Sequence, residues 1–405
     1  MSDIVLNKQQ ELIKDQAVHW FLHESSQVFE IDGPAGTGKS VLIKAILDAL
    51  HLRDTEYYAM AYTGQASIVM RTRGFKTAKS IHSTLYEVVE VPTNNDELAV
   101  RFGAKSKRKD FRLRKFINPG IRLLFIDEGY MVPNFMVKDI LSFGIKVIVA
   151  GDAHQLPPVG DGPGFLTGDG VHHLTQLMRQ SENNPIVYIA NRAMNGEPIH
   201  CGMYGNDVLV CTDDDYIPQM IGLVDCVLCG TNKTREMMNA HIRQLAGFAG
   251  TIPCFGERLI CRKNNWNITA GDISLANGLT GTVLNNPDAM GFDGKVFHIN
   301  FKPDLSNLEF DNIPVNYKYF TSTLEQKNFM KGSFENKWDI GEYFDFAYAL
   351  TTHLAQGGEY NSCMFIEEYL HPQIMNQLIY TGITRARYKL IYIKKKCKTF
   401  QVKGW

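Results

Sequence analysis

Short apolar runs alternate with amphipathic stretches through the first third of the chain. Residues 27–31, 57–62, 122–126 and 146–150 are apolar enough to be buried strands, and residues 40–52 repeat their apolar positions with helical spacing. This alternation predicts a parallel sheet covered by helices on both faces. Ligands of such sheets bind at the carboxyl ends of the strands. The pattern breaks over residues 85–118, where the β-prone run 86–91 is followed by a polar turn and a basic stretch. A hairpin insertion is expected there, pairing 86–91 with 110–117. A second α/β unit starts near Pro185, with a strand over 226–229 and a helix over 233–246. Residues 256–261 and 281–284 read as β structure, and 296–301 alternates with period two. Residues 285–340 are turn-rich and short-stranded, which predicts a small β-barrel insertion. The α/β pattern resumes at Phe344.

Chemistry enters at the end of the first apolar run. Gly33-Pro34-Ala35-Gly36-Thr37-Gly38-Lys39-Ser40 fits the phosphate-binding pattern G-x-x-x-x-G-K-[S/T], between a strand and a helix as that motif requires. Glycines let backbone N–H groups turn in around phosphates, and the helix N-terminus adds its dipole. Lys39 is expected to neutralise the β- and γ-phosphates, and Ser40 to hold Mg²⁺. The run 123–126 ends in Asp127-Glu128, a metal-binding carboxylate followed by a candidate general base. The run 147–150 ends in Gly151-Asp152-Ala153-His154-Gln155-Leu156-Pro157-Pro158, where Gln155 could reach a γ-phosphate. ATP and Mg²⁺ are the implied cofactors.

Charge and cysteines refine the picture. Over 405 residues the formal net charge is −1, so bulk charge gives no support for nucleic-acid binding. One stretch differs: Arg101, Lys105, Lys107, Arg108, Lys109, Arg112, Arg114 and Lys115 face a single acid, Asp110. Eight scattered cysteines suit a reducing compartment. Cys226 and Cys229 have C-x-x-C spacing, but no second such pair exists, and buried strand cysteines are the expectation rather than zinc ligands. No apolar stretch approaches the roughly 20 residues of a membrane span, and the N-terminus lacks a signal-peptide pattern. A cytoplasmic location without membrane partners is expected.

The ordered set of motifs resembles superfamily 1 helicases, in the 5′→3′ branch that includes RecD and the phage helicase Dda. Leu6-Asn7-Lys8-Gln9-Gln10 resembles the adenine-recognition motif, with Gln10 as its glutamine. Residues 33–40, 61–66, 80–83, 127–128 and 151–158 resemble motifs I, Ia, the short T-x-H-type element, II and III. Residues 174–179 resemble an arginine element ending in Arg179, and Gly230-Thr231-Asn232-Lys233 a DNA-side motif. Gly256-Glu257 with Asn277-Gly278-Leu279-Thr280-Gly281-Thr282-Val283 resembles the RecD-type G-E…N-G-x-x-G-x-V signature. Residues 348–359 and 378–387 resemble motifs V and VI. Gly129-Tyr130 and Tyr62 depart from the common pattern.

The resemblance implies an α/β fold of two RecA-like P-loop domains. Domain 1 comprises 1–84 and 119–184, with a hairpin (pin) insertion at 85–118; domain 2 comprises 185–284 and 341–405, with an SH3-like β-barrel insertion at 285–340. It implies Arg179 and Arg385 as cations delivered to the γ-phosphate, and Gln356 and Glu359 on the second domain's side of the nucleotide. Thr63, His82, Thr231, Asn232, Thr352 and His353 are implied along a groove for single-stranded DNA, bonding phosphate oxygens without reading sequence. Phe102, and after it Phe111, are candidates for an aromatic wedge at a single-strand/duplex junction, against the alternative that either packs the insertion. The implied activity is ATP-dependent 5′→3′ unwinding by a phage or viral accessory helicase, with a single-strand-binding protein or replisome components as possible partners. Translocation without unwinding, an RNA motor and a non-catalytic module stay as rivals; the last would need a broken site.

Overall fold

The computed structural model describes residues 5–92, 107–178, 183–287, 294–332 and 341–395. In the first domain the strands are β1 (Val28–Asp32), β2 (Tyr57–Ala61), β3 (Lys79–Ser80), β4 (Tyr86–Pro92), β5 (Lys107–Leu113), β6 (Leu123–Asp127), β7 (Lys146–Gly151) and β8 (His172–His173). The helices are α1 (Lys8–His23), α2 (Lys39–Ala49), α3 (Gly64–Thr72), α4 (Ile81–Leu85) and α5 (Asn134–Leu141). Six strands form one parallel sheet in the order β3-β2-β6-β7-β1-β8. Successive side chains of a strand point to opposite faces. Leu123 and Phe125 therefore join the core under α1, α2 and α3, while Leu124 and Ile126 pack with Met136 and Ile140 of α5. That is why β6 is apolar at every position up to its terminal Asp127.

β4 and β5 pair antiparallel from Tyr86 opposite Leu113 to Pro92 opposite Lys107. The hairpin register thus starts three residues earlier on its second arm than the expected 110–117.

The second domain contributes β9 (Gly202–Tyr204), β10 (Val208–Thr212), β11 (Cys226–Cys229), β12 (Arg258–Cys261), β13 (Asn265–Ala270), β14 (Ile273–Leu275), β15 (Thr280–Val283), β16 (Val296–Pro303), β17 (Phe310–Asn316), β18 (Phe344–Phe346), β19 (Ala349–Thr351), β20 (Tyr360–Ile366) and β21 (Ala386–Lys394). Its helices are α6 (Pro185–Met194), α7 (Asn232–Leu245), α8 (Tyr317–Thr321), α9 (Leu324–Gly332) and α10 (Met375–Ile383). The second sheet runs β19-β11-β20-β21-β10-β9, parallel except for β9. Cys226 and Cys229 are buried on opposite faces of it, in separate cores. Burial pushes the Cys226 thiol up to about 12, and no metal-holding cluster occurs among the described residues.

The antiparallel insertion is larger than its sequence signature. Its five-stranded sheet runs β17-β16-β15-β12-β18, so it spans Arg258 to Phe346 and not only 285–340. β12, β15 and β18 are three or four residues long and of mixed polarity, with pairing partners far away in sequence, and periodicity alone cannot assign such short segments to a sheet. Phe297, Phe301, Phe310 and Phe344 fill its core. Among the described residues no helix is long and apolar enough to cross a membrane.

Candidate nucleotide site and nucleic-acid groove

The loop between β1 and α2 has the backbone that its glycines allow. Gly36 and Gly38 hold φ of 87° and 80°, a left-handed conformation open to glycine at little cost. A Cβ on Gly33 would stand 2.7 Å from Thr37 Oγ1 and 2.9 Å from Leu174 Cβ. Lys39 donates to the loop carbonyls of Gly33 and, at 3.2 Å, of Pro34. Gln10 is fully buried against the loop, its amide donating to the Thr37 carbonyl at 3.0 Å. Its own carbonyl accepts the Asn7 N–H at 3.0 Å, completing the capping box of α1. One glutamine thus fixes both the start of α1 and the loop.

Asp127 ends β6 and Glu128 follows it in the left-handed region, φ 54°. That conformation is uncommon for a residue with a side chain. It aims the Glu128 carboxylate at Gln155, whose Nε2 donates to it at 3.2 Å. Burial pushes the Glu128 carboxyl above its usual range; Arg385 pulls the other way and Asp127 adds to the push. Gly129 explains one departure from the family pattern: a Cβ there would fall 2.1 Å from Val149 Cγ1.

The second domain meets this corner through α10 and the turn after β19. Arg385, 4 % exposed, sits with Nη1 3.9 Å from Glu128 Oε1. The Gly358 and Thr381 carbonyls accept from its guanidinium and fix its direction. Gln356 donates to the Leu156 carbonyl at 2.7 Å, and Thr381 accepts the Leu156 N–H at 2.9 Å. Two residues without a role in the sequence reading stand out. Tyr380 donates to Asp152 at 2.5 Å and accepts the Ala35 N–H at 2.9 Å, tying loop, β7 turn and α10 together. Arg73 donates to Ser40 Oγ at 3.3 Å, lies 3.7 Å from Asp127 and pairs with Glu359. Tyr380 stood inside a quoted motif but carried no chemistry of its own. Arg73 follows α3 with no pattern to mark it. Arg179 lies outside the described residues.

The family model described as AAA domain matches residues 5–210, half of the chain. The chain belongs to the AAA-domain family. A second model, the UvrD-like helicase C-terminal domain, matches residues 346–393, and the chain groups with the RecD/Dda-type superfamily 1B helicases. It is 25% identical over 388 residues to the ATP-dependent RecD2 DNA helicase of Deinococcus radiodurans, covering 88% of this chain and 45% of the relative. It is 24% identical over 433 residues to the ATP-dependent DNA helicase dda of Enterobacteria phage T4, covering 92% and 95%. The chain thus spans less than half of the RecD2 relative and nearly all of Dda. The fold matches a Pif1 helicase from Bacteroides in complex with ADP-AlF3 and ssDNA (TM-score 0.55, 18% identity, 98% of this chain and 94% of that one). It also matches Pif1 from Candida albicans (TM-score 0.53, 17% identity, 96% and 94%).

For an AAA-domain protein of this helicase group, the expected groove residues have uneven surroundings. Thr63 caps α3, accepting the Ala66 N–H at 3.2 Å, beside Gly278 and Gly357 of the second domain. The His82 ring lies between Tyr62 and Tyr86, at centroid distances of 5.8 and 5.7 Å, and burial lowers its pKa. Tyr62, the other departure from the family pattern, thus packs against an expected groove residue. Asn232 is exposed and His353 half-buried. Thr231 is bound to Glu368, which accepts from the Gly230 and Thr231 N–H groups and from the Thr231 and Thr234 hydroxyls. Thr352 needs correcting as a DNA contact. It is fully buried, and its hydroxyl donates to the Cys229 carbonyl at 3.2 Å, so it positions the turn instead. Phe102 lies outside the described residues. Phe111 is 47 % exposed and packs on Trp266 of β13, centroids 4.9 Å apart, so the hairpin leans on the insertion of the other domain.

Proposed function

We propose that the chain is an ATP-dependent DNA helicase that moves 5′→3′ on single-stranded DNA and opens duplex ahead of it, an accessory helicase of phage or viral type. The observation that carries the ATPase part is the convergence of Glu128, Gln155 and Arg385 beside the loop Gly33 to Ser40, with Arg385 arriving from the other domain. Glu128 takes a proton from the attacking water. Gln155 holds the Glu128 carboxylate in line. Arg385 neutralises charge that develops on the γ-phosphate, which guanidinium does well because it stays charged and donates in a fork. Hydrolysis then depends on how the domains sit, because the arginine and the base belong to different ones.

Ser40 and Asp127 offer hydroxyl and carboxylate oxygens, the hard donors that suit Mg²⁺. That they already attract the Arg73 guanidinium supports the fit. When bound, the ion would offset phosphate charge. The DNA substrate rests on likeness to relatives named as DNA helicases, and the polarity on the resemblance of residues 256–283, 348–359 and 378–387 to the 5′→3′ branch. The hairpin β4–β5 serves as the separating pin, braced by an SH3-like insertion, and junctions of single-stranded and duplex DNA are its substrates.

The test is strand separation with 5′-tailed and 3′-tailed duplexes of DNA and RNA, alongside Lys39→Ala. Opening of 5′-tailed DNA that needs ATP and is lost in the variant is expected. Opening confined to 3′ tails would overturn the polarity, and wild-type hydrolysis by Lys39→Ala would overturn the site.

A further inference from the structure

Arg73 occupies an unusual place for a cation. Its guanidinium contacts Ser40 Oγ at 3.3 Å and stands 3.7 Å from Asp127 Oδ2. These are the two groups proposed to hold Mg²⁺, and the present inference rests on that reading. Its other nitrogen, Nη2, binds Glu359, which belongs to the second domain. The backbone holds Arg73 in position. Its N–H closes α3 onto the Val69 and Met70 carbonyls, and Gly74 turns away at φ 96°. Burial works against the charge, but Glu359, Asp127 and Glu128 outweigh it and keep the guanidinium protonated.

We propose that Arg73 is a positioning residue that competes with Mg²⁺ for Ser40 and Asp127. Two cations cannot share one hydroxyl and one carboxylate at these distances without strong repulsion. Metal loading therefore moves the guanidinium off the first domain's oxygens, leaving Glu359 as its partner. The same side chain then carries information in two directions. A full metal site strengthens the Arg73–Glu359 tie across the cleft, and an empty one returns Arg73 to Ser40 and Asp127. Glu359 and the metal-facing pair divide one guanidinium between them, so weakening either side favours the other.

The opposite signs expected on the two sides give the test. A fluorescent ADP analogue is bound to the purified protein while Mg²⁺ is titrated, and the Mg²⁺ concentration at half-maximal binding is read. Arg73→Ala and Arg73→Gln are expected to lower that midpoint by about tenfold, the scale of removing one like charge near 4 Å in a wet site. Glu359→Gln is expected to raise it, because Arg73 then has only Ser40 and Asp127. The double variant Arg73→Ala/Glu359→Gln is expected to behave like Arg73→Ala. An unchanged or raised midpoint in both Arg73 variants overturns the proposal, as does a lowered midpoint in Glu359→Gln alone. Nucleotide binding by the wild type that ignores Mg²⁺ altogether would instead overturn the assignment of Ser40 and Asp127.

Discussion

Arg385 of the second domain lies 3.9 Å from Glu128 of the first, across the cleft and with both side chains largely out of water. Each also has partners in its own domain: Gln155 donates to Glu128, and Arg385 donates to the Gly358 and Thr381 carbonyls. Under the proposed mechanism, their approach makes hydrolysis conditional on domain arrangement. Arg385→Ala is expected to lower single-strand-stimulated ATP turnover by about 10³-fold or more, the scale of an arginine finger. Binding of single-stranded DNA should be kept. Parallel ATPase and fluorescence-anisotropy measurements check this, and turnover within a few-fold of wild type would remove Arg385 from the reaction.

Glu128→Gln separates binding from hydrolysis. The amide keeps the shape and can still meet Gln155, but it cannot take a proton from water. Nucleotide affinity should stay near wild type while turnover falls by about 10²–10⁴-fold. An ATPase rate unaffected by the change would place the base elsewhere.

Tyr380→Phe removes one hydroxyl with two partners. The buried Asp152 loses a donor and the Ala35 N–H an acceptor. Thermal or urea unfolding should register a loss of about 1–3 kcal/mol, the cost of stranding a buried polar group. A variant as stable as wild type would mean that water replaces the hydroxyl.

Asp345 is buried among Lys327, Arg235 and Arg262, at 2.7, 3.3 and 3.3 Å, and these cations hold its pKa down to about 2. The folded value lies below the unfolded one, near 3.9. Its stabilisation is therefore complete above about pH 4 and is lost as pH falls towards 2. Asp345→Asn should cost about 3–5 kcal/mol at neutral pH, because three cations lose their shared anion. The stability gap between variant and wild type should shrink in acid titrations below pH 4.

Phe111 and Trp266 test the hairpin. Trp266→Ala removes the surface that Phe111 leans on. Strand separation on 5′-tailed duplex should fall while DNA-stimulated ATPase persists. Equal loss of both activities would point to a folding role for the contact instead.

Much of the nucleotide corner was legible in the sequence because its chemistry is local. A strand, a glycine loop and a lysine lie within one short stretch, and β6 announces Asp127 and Glu128 by its unbroken apolar run. Cross-domain partners were legible only where a motif marked them, as for Arg385 and Gln356. Arg73 and Glu368 went unmarked, and Tyr380 lay in a motif without a role of its own, because their partners are set by tertiary contacts between segments far apart in the chain. Thr352 shows the reverse error. The resemblance puts its hydroxyl along the DNA groove, but β11 supplies a carbonyl that takes it inward. The insertion's edges were missed for the same reason: β12 and β18 pair with each other from opposite ends of the segment.

The start of α3 meets the second domain at two points where backbone faces a methyl group. A Cβ on Gly64 would lie 2.6 Å from Ala276, and one on Gly357 would lie 2.5 Å from Ala66. Between these points the Gln65 side chain crosses the seam and accepts the Thr280 N–H at 3.3 Å, and Ile68 packs into the insertion's core. A seam pinned in this way closes to one spacing, because closely packed layers have no slack to take up added volume. Gly64 and Gly357 are its shims: one added methyl group at either would have to spread α3 from the second domain or bend the backbone.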